Sequence, residues 1–272
     1  MINTRLAIVT GAGGAVGARY LKHFLKQENT KCVALSRSNL ETTDVIQFKV
    51  DLLDEKRTRE AIKQLDLSEV NDLILVHGVG KFKYEDLKSL PHLNQERHKI
   101  DDEVFSSNYN TFVNVVNPLV EKLNEEHQRG QKTTLALCGF GSISDKYKIP
   151  FWHSYTYAKD TLRQYIKDLA KSEEWQGLIR GRFINVSTTD TGNENKLRPN
   201  VSHEEKQYWL KPEKIVVQSM AVIESLQPLW QEIDVYEVLP GFNPEEYYND
   251  YQTIKEKWQR QMGLTTVDEC FI

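Results

Sequence analysis

Tyr155 and Lys159 stand four residues apart in Tyr155-Thr156-Tyr157-Ala158-Lys159, inside a stretch of helical period. That spacing puts both side chains on one helical face. An ammonium beside a phenol favours the phenolate and draws its pKa down from about 10. The tyrosine then becomes a usable proton donor and acceptor nearer neutral pH. Taken alone the pair is a weak signal, because Tyr-x-x-x-Lys recurs on ordinary surface helices.

A second pattern lies at the other end of the chain. The strand-like run Leu6–Val9 leads into Thr10-Gly11-Ala12-Gly13-Gly14-Ala15-Val16-Gly17 and then into the helix Arg19–Gln27. Glycines here permit a tight turn, close backbone approach to a pyrophosphate and close helix–strand packing. Bare backbone N–H groups and the helix dipole supply the anion site. A glycine-rich turn without a ligand is the alternative. Twenty residues past Gly17 the chain reads Leu35-Ser36-Arg37-Ser38. An acidic residue there suits a ribose 2′-hydroxyl, whereas an arginine suits a 2′-phosphate. Ser36 and Arg37 therefore favour NADP over NAD, a solvated surface arginine being the alternative. Asp51, closing a third strand, is placed either to accept from an adenine amino group or to cap the helix starting near Asp54.

The elements that must position these groups alternate. Strands are predicted at Leu6–Val9, Lys31–Leu35, Val45–Val50, Asp72–Val76, Thr133–Cys138, Ile179–Val186 and Asp234–Val238. Helices are predicted at Ala15–Gln27, Asp54–Leu65, Asp102–His127, Tyr155–Lys171 and Pro212–Leu226. Such alternation implies βαβ units and a doubly wound, mainly parallel α/β sheet. Pro212 sits where a first-turn proline is tolerated, and Glu213 beside it suits the positive helix end. Two polar segments, Lys81–Ile100 and Asp190–Leu210, break the rhythm just after strand ends. Both would border the crevice at the carboxyl ends of the strands. No repeat or Pro/Gly/Ser linker divides the chain, so one domain spanning 1–272 is expected.

Composition excludes other classes. With 39% hydrophobic and 27% charged residues in 272, the chain is of ordinary globular type rather than disordered. Its apolar runs are too short to span a membrane, and the early strand leaves no room for a signal peptide. A net charge of −4 argues against a nucleic-acid partner. Three widely spaced cysteines (Cys32, Cys138, Cys270) make neither a disulfide framework nor a thiolate metal site, so no metal and a reducing, cytoplasmic setting are expected.

The glycine loop, the Tyr155/Lys159 pair and their order resemble the short-chain dehydrogenase/reductase family, from about Leu6 to Val238. The resemblance picks out further residues. Ser142 lies thirteen residues before Tyr155 and after the fifth strand. Asn108 lies in the preceding long helix, and Asp51-Leu52 closes the third strand. The chain also departs from the family pattern. Ala15 stands at the middle glycine of the loop, which thus also reads TGxxGxxG as in the longer sugar-nucleotide branch. His77-Gly78-Val79-Gly80 replaces an Asn-Asn-Ala-Gly, and Ser187-Thr188 replaces a Pro-Gly, although Thr191 is kept.

The resemblance implies a Rossmann-type fold and a catalytic set of Asn108, Ser142, Tyr155 and Lys159. Tyr155 would be the proton donor, Lys159 would hold the nicotinamide ribose, and Ser142 would bond the substrate carbonyl oxygen. Asn108 would hold a water linking Lys159 to solvent. The implied dinucleotide set is Gly11, Gly14, Ala15, Val16, Gly17, Ser36, Arg37, Asp51, Leu52, Gly78, Tyr155, Lys159, Thr188 and Thr191. The expected activity is NADP(H)-dependent reduction of a small-molecule carbonyl, or oxidation of the alcohol, by a homodimer or homotetramer. A sugar-nucleotide epimerase or dehydratase and a non-catalytic dinucleotide-binding regulator are the alternatives. Trp152 and His153 would face the substrate side. A lid is expected at about 190–211, and the aromatic extension at about 243–272 would cover either a neighbouring subunit or the cleft. Phe105, Phe112, Val113 and Val116 would serve core or interface.

Overall fold

A computed structural model describes residues 4–85, 99–175, 177–238 and 240–264. Strands β1 (Arg5–Thr10), β2 (Thr30–Ser36), β3 (Ile46–Lys49), β4 (Asp72–His77), β5 (Thr134–Ser142), β6 (Ile179–Val186) and β7 (Trp230–Val235) form one sheet. Its order is β3-β2-β1-β4-β5-β6-β7, and every neighbouring pair is parallel. The chain steps outward from β1 to β3 and then returns to β1's other side with β4. That reversal opens a crevice at the carboxyl ends of β1 and β4.

Both faces of the sheet are covered, which is why its central strands read as continuous apolar runs rather than alternating ones. Leu6 and Ile8 pack beneath α2 (Glu55–Lys63), α4 (Thr111–Gln128) and α6 (His153–Lys171), with Phe112, Leu119, Leu162 and Ile166. Ala7 and Val9 face α1 (Ala15–Phe24) and α9 (Pro212–Glu224), with Tyr20, Phe24, Ile215 and Ile223. Phe112 and Val116 thus belong to the core, while Phe105 stays partly exposed. Pro212 opens α9 in its first turn, and Glu213 pairs with Arg19 of α1.

Three expected elements changed. The long helix from Asp102 begins as α3 (Asp102–Phe105), widens into a π turn at Ser106–Asn110 and only then continues as α4. The last strand starts four residues and ends three residues earlier than the apolar pattern suggested. Trp230 packs into the space beside Gly181, where a Cβ would stand 2.7 Å from its ring, and so fixes the register with β6. After Val235 the chain leaves the sheet, and the Glu237 N–H donates to Ser187 Oγ at 3.0 Å instead. Finally, the polar segment after β6 is not irregular: Thr191 caps α7 (Gly192–Leu197) and Ser202 caps α8 (His203–Lys206). Of the segment Lys81–Ile100, residues 86–98 lie outside the described part, as do Cys270 and the last eight residues of the extension.

The rest of the extension forms α10 (Pro244–Asn249) and α11 (Tyr251–Met262), which fold back on their own chain. Ile254, Tyr247, Tyr248 and Trp258 join Ile149, Phe151, Trp152 and Tyr155 in a third apolar cluster. The extension therefore covers the cleft of its own subunit.

Candidate active site

The crevice is a cavity of about 270 Å³. Gly14, Ala15, Val16 and Gly78 wall one end, Ser142, Tyr155 and Lys159 the middle, and Thr188 and Thr191 the side under α7. Residues from opposite ends of the sequence meet here because β1, β4, β5 and β6 all end at one edge of the sheet.

The glycine loop is built by backbone contact. Gly11 has φ +63°, and a Cβ there would stand 2.6 Å from the Gly78 oxygen. A Cβ on Gly17 would meet the Gly11 oxygen at 2.4 Å. Gly14 opens α1 with no side-chain cap, so the first N–H groups of that helix face the cavity without a side-chain partner. Ser36, Arg37 and Asp51 end β2 and β3 beyond the cavity wall. Arg37 and Asp51 are exposed there. The Ser36–Ser38 turn touches the loop: Ser38 Oγ is 3.3 Å from the place of a Gly13 Cβ. Asp51 accepts from the Leu53 N–H at 3.1 Å, and the cap of α2 is made by Asp54. Leu52 is buried in the core beneath α2.

His77 ends β4 fully buried. Thr111 Oγ1 donates to the Ser107 oxygen at 2.9 Å, so it accepts from His77 Nε2 at 3.2 Å. Nδ1 then accepts from Thr10 Oγ1 at 2.8 Å. Burial, and next the Lys159 cation, hold His77 down to about 3, so the ring is neutral and ties β1, β4 and α4 together.

Tyr155 and Lys159 share a face of α6 as expected, with Nζ 5.3 Å from the centre of the phenol ring. The expected lowering of the phenol does not occur. Burial raises it, the Asp145 and Glu194 carboxylates raise it further, and a hydrogen bond with Ser142 only partly opposes them. Lys159 is itself desolvated, which draws its ammonium down to about 8 against the pull of Asp145. Burial of the phenol, not loss of the Lys159 charge, is the largest cause of the rise.

Ser142 is fixed by a capping box at the start of α5 (Ile143–Lys146). Its Oγ accepts from the Ser144 N–H at 3.2 Å, and its own N–H donates to Asp145. Asp145 is fully buried and pairs with Arg163, one turn beyond Lys159. Arg163 also meets Glu232 at 3.0 Å and Asn185 at 3.3 Å. Asn108 sits in the π turn, a backbone irregularity frequent at functional sites. Its Nδ2 donates to the Lys81 and Val104 oxygens at 2.6 and 2.7 Å. Its buried Oδ1 has no partner, and it stands 2.6 Å from the place of a Gly80 Cβ, with Lys159 Nζ at 3.5 Å from the same point.

Sequence reasoning missed Asp145, Arg163, Glu194 and Arg198. The spacing Ser-x-x-Asp at 142–145 and the step of four from Lys159 to Arg163 were signals for the first two. Trp152 does line the cavity, while His153 does not.

Fold and site together define a doubly wound α/β protein with a glycine-loop pocket and a Ser-Tyr-Lys centre. The short chain dehydrogenase family model matches residues 5–202, and the chain belongs to that family of oxidoreductases. No curated protein sequence matches it. Solved structures it is similar to include a short-chain dehydrogenase from Burkholderia cenocepacia in complex with NADP, at 16% identity and TM-score 0.65 over 98% of this chain and 99% of that one. Aldohexose dehydrogenase from Thermoplasma acidophilum in ligand-free form matches at 14% and 0.65, over 85% and 93%. A 4-hydroxyisoleucine dehydrogenase complexed with NADH matches at 19% and 0.61, over 85% and 97%. Among the described residues no helix is long and apolar enough to cross a membrane.

Proposed function

We propose that the protein is an NADP(H)-dependent carbonyl reductase, reversible as an alcohol dehydrogenase, acting on a small molecule. The observation that carries this reading is the convergence of Ser142, Tyr155 and Lys159 on one cavity whose far wall is the uncapped start of α1. The unpartnered N–H groups of that start suit a pyrophosphate, and Arg37 and Ser36, next to the loop, suit a 2′-phosphate. The similar structures hold NADP in one case and NADH in another, so the choice of NADP rests on Arg37.

When bound, the nicotinamide supplies the hydride. The phenol of Tyr155, raised by burial and two carboxylates, keeps its proton at neutral pH and donates it to the substrate oxygen. Ser142 Oγ, held by its capping box, faces the same oxygen. Lys159 binds the ribose, and Asn108 Oδ1, buried and unpartnered beside it, accepts a hydrogen bond in the route that returns the proton. Gly78, Thr188 and Thr191 complete the nicotinamide end. The subunits associate as a homodimer or homotetramer through the helices that carry Phe105 and the exposed Tyr157, which lie 5.8 Å apart. A monomer mass in light scattering contradicts that association.

The test is a pair of variants assayed with NADPH and a panel of ketones and aldehydes. Tyr155→Phe loses turnover by roughly 10²–10⁴-fold while NADPH binding is kept, since only the transferable proton is gone. Lys159→Ala damages both. Near-parent rates in Tyr155→Phe remove the tyrosine from the chemistry, and a parent that binds NADPH but reduces no carbonyl points to a regulator.

A further inference from the structure

Beyond Tyr155 the cavity ends in a wall of four aromatic side chains: Phe82, Trp152, Tyr248 and Trp258. Trp152 stands edge-on to Phe82 at 5.7 Å and to Trp258 at 4.9 Å, and Phe82 lies 5.9 Å from Tyr155. Two of the four come from the extension, outside the residues that the family model matches. They are held firmly. Tyr248 stacks on Tyr147 at 4.8 Å. The buried Arg198 guanidinium lies 3.6 Å from the centre of the Trp258 ring and donates to Gln261 of α11 at 3.0 Å.

Few charges line the cavity. Among the described lining residues, Lys159 and Glu194 are the ones able to carry charge near neutral pH, His77 being neutral. Lys159 lies beside Tyr155. Glu194 is buried and takes Arg198 Nε at 2.6 Å, so its charge is balanced from behind. A substrate carboxylate or phosphate would surrender its water to a wall of aromatic rings and a second carboxylate, with no spare cation among the described lining residues to receive it. Such a burial is costly. A flat neutral ring meets the opposite conditions, because aromatic pairs at these separations are favourable beyond their buried area.

We infer that the substrate is a neutral ketone or aldehyde carrying an aromatic ring, seated against Trp258 and Tyr248, and that these two residues determine specificity. Arg198 is a positioning residue that holds Trp258 in place. The inference rests on Tyr155 marking where the carbonyl sits.

Calorimetric titration of the NADP⁺-loaded protein with acetophenone and with 4-acetylbenzoate, which differ by one carboxylate, tests the class without requiring turnover. Acetophenone is expected to bind at least about tenfold more tightly. Trp258→Ala is expected to weaken acetophenone by about tenfold and to leave the NADP⁺ affinity unchanged, whereas Trp258→Phe, which keeps a ring under Arg198, retains most of the binding. Equal or tighter binding of 4-acetylbenzoate overturns the inference, as do unaltered acetophenone binding in Trp258→Ala and failure of both probes to bind. Tyr155-dependent reduction of some other carbonyl would then leave the proposed activity standing. Acetophenone that binds as expected but is never reduced breaks the activity and leaves the pocket class intact.

Discussion

At one end of the cavity stand Gly14, Ala15 and Val16, three consecutive residues of one loop shaped by backbone contacts. At the other stand Phe82, Trp152, Tyr248 and Trp258, drawn from three separate stretches of chain and held by ring packing and a buried ion pair. The first end is specified by geometry that side chains would obstruct. The second is specified by side chains that only distant folding brings together. One would serve a dinucleotide common to many proteins, the other a substrate particular to this one.

The comparison is broken most sharply at Arg198. Arg198→Leu leaves Glu194 buried without its partner, and losses of about 3–5 kcal/mol are usual for such a change. The urea midpoint is expected to fall, and α11 to become susceptible to proteolysis, while NADPH still binds. An unaltered midpoint would mean that the two ends are not held by different forces.

Gly11→Ala attacks the opposite end. A side chain at φ +63° costs about 1–2 kcal/mol, and its Cβ would meet the Gly78 oxygen at 2.6 Å besides. Dinucleotide affinity should drop in equilibrium binding, with α11 as protease-resistant as in the parent. Wild-type affinity would show that the loop does not shape the site.

His77 links the two halves through Thr10 and Thr111, and its neutrality makes a pH prediction. Its folded pKa lies near 3, below the ordinary 6.5, so between those values the unfolded chain binds more protons than the folded one. Stability therefore falls as pH drops through that window, at about 1.4 kcal/mol per unit for one proton, or roughly 2 kcal/mol at pH 5. His77→Asn should flatten this part of the profile in denaturant titrations. An unchanged slope assigns the acid sensitivity elsewhere.

The smallest effect is expected at the exposed Arg37. If Arg37 holds the 2′-phosphate as proposed, Arg37→Asp removes that partner and adds a like charge, so the NADPH-to-NADH affinity ratio should invert, with a change of at least about tenfold. Equal binding of both cofactors by the parent defeats the assignment.

Much of this was legible in the residues. The sheet and its flanking helices follow from alternating apolar runs, and Ser142, Tyr155 and Lys159 do converge as their order implied. The π turn was not legible, because Ser106–Asn110 carries the same helical pattern with or without the extra residue. Nor was the end of β7, since Val235–Val238 looks equally strand-like whether or not Ser187 captures the Glu237 N–H.

The sequence by itself determined what depends on near neighbours: a loop that glycine alone can turn, a phenol and an ammonium one helical turn apart, a proline that opens a helix. Tertiary structure decided what depends on water and on distant partners. The chain's own fold, not a second subunit, brought Trp258 over the cleft. Burial, and then the carboxylates of Asp145 and Glu194, raised the Tyr155 phenol that local spacing alone would have lowered. Desolvation is a property of everything packed around a group, and no run of adjacent residues encodes it.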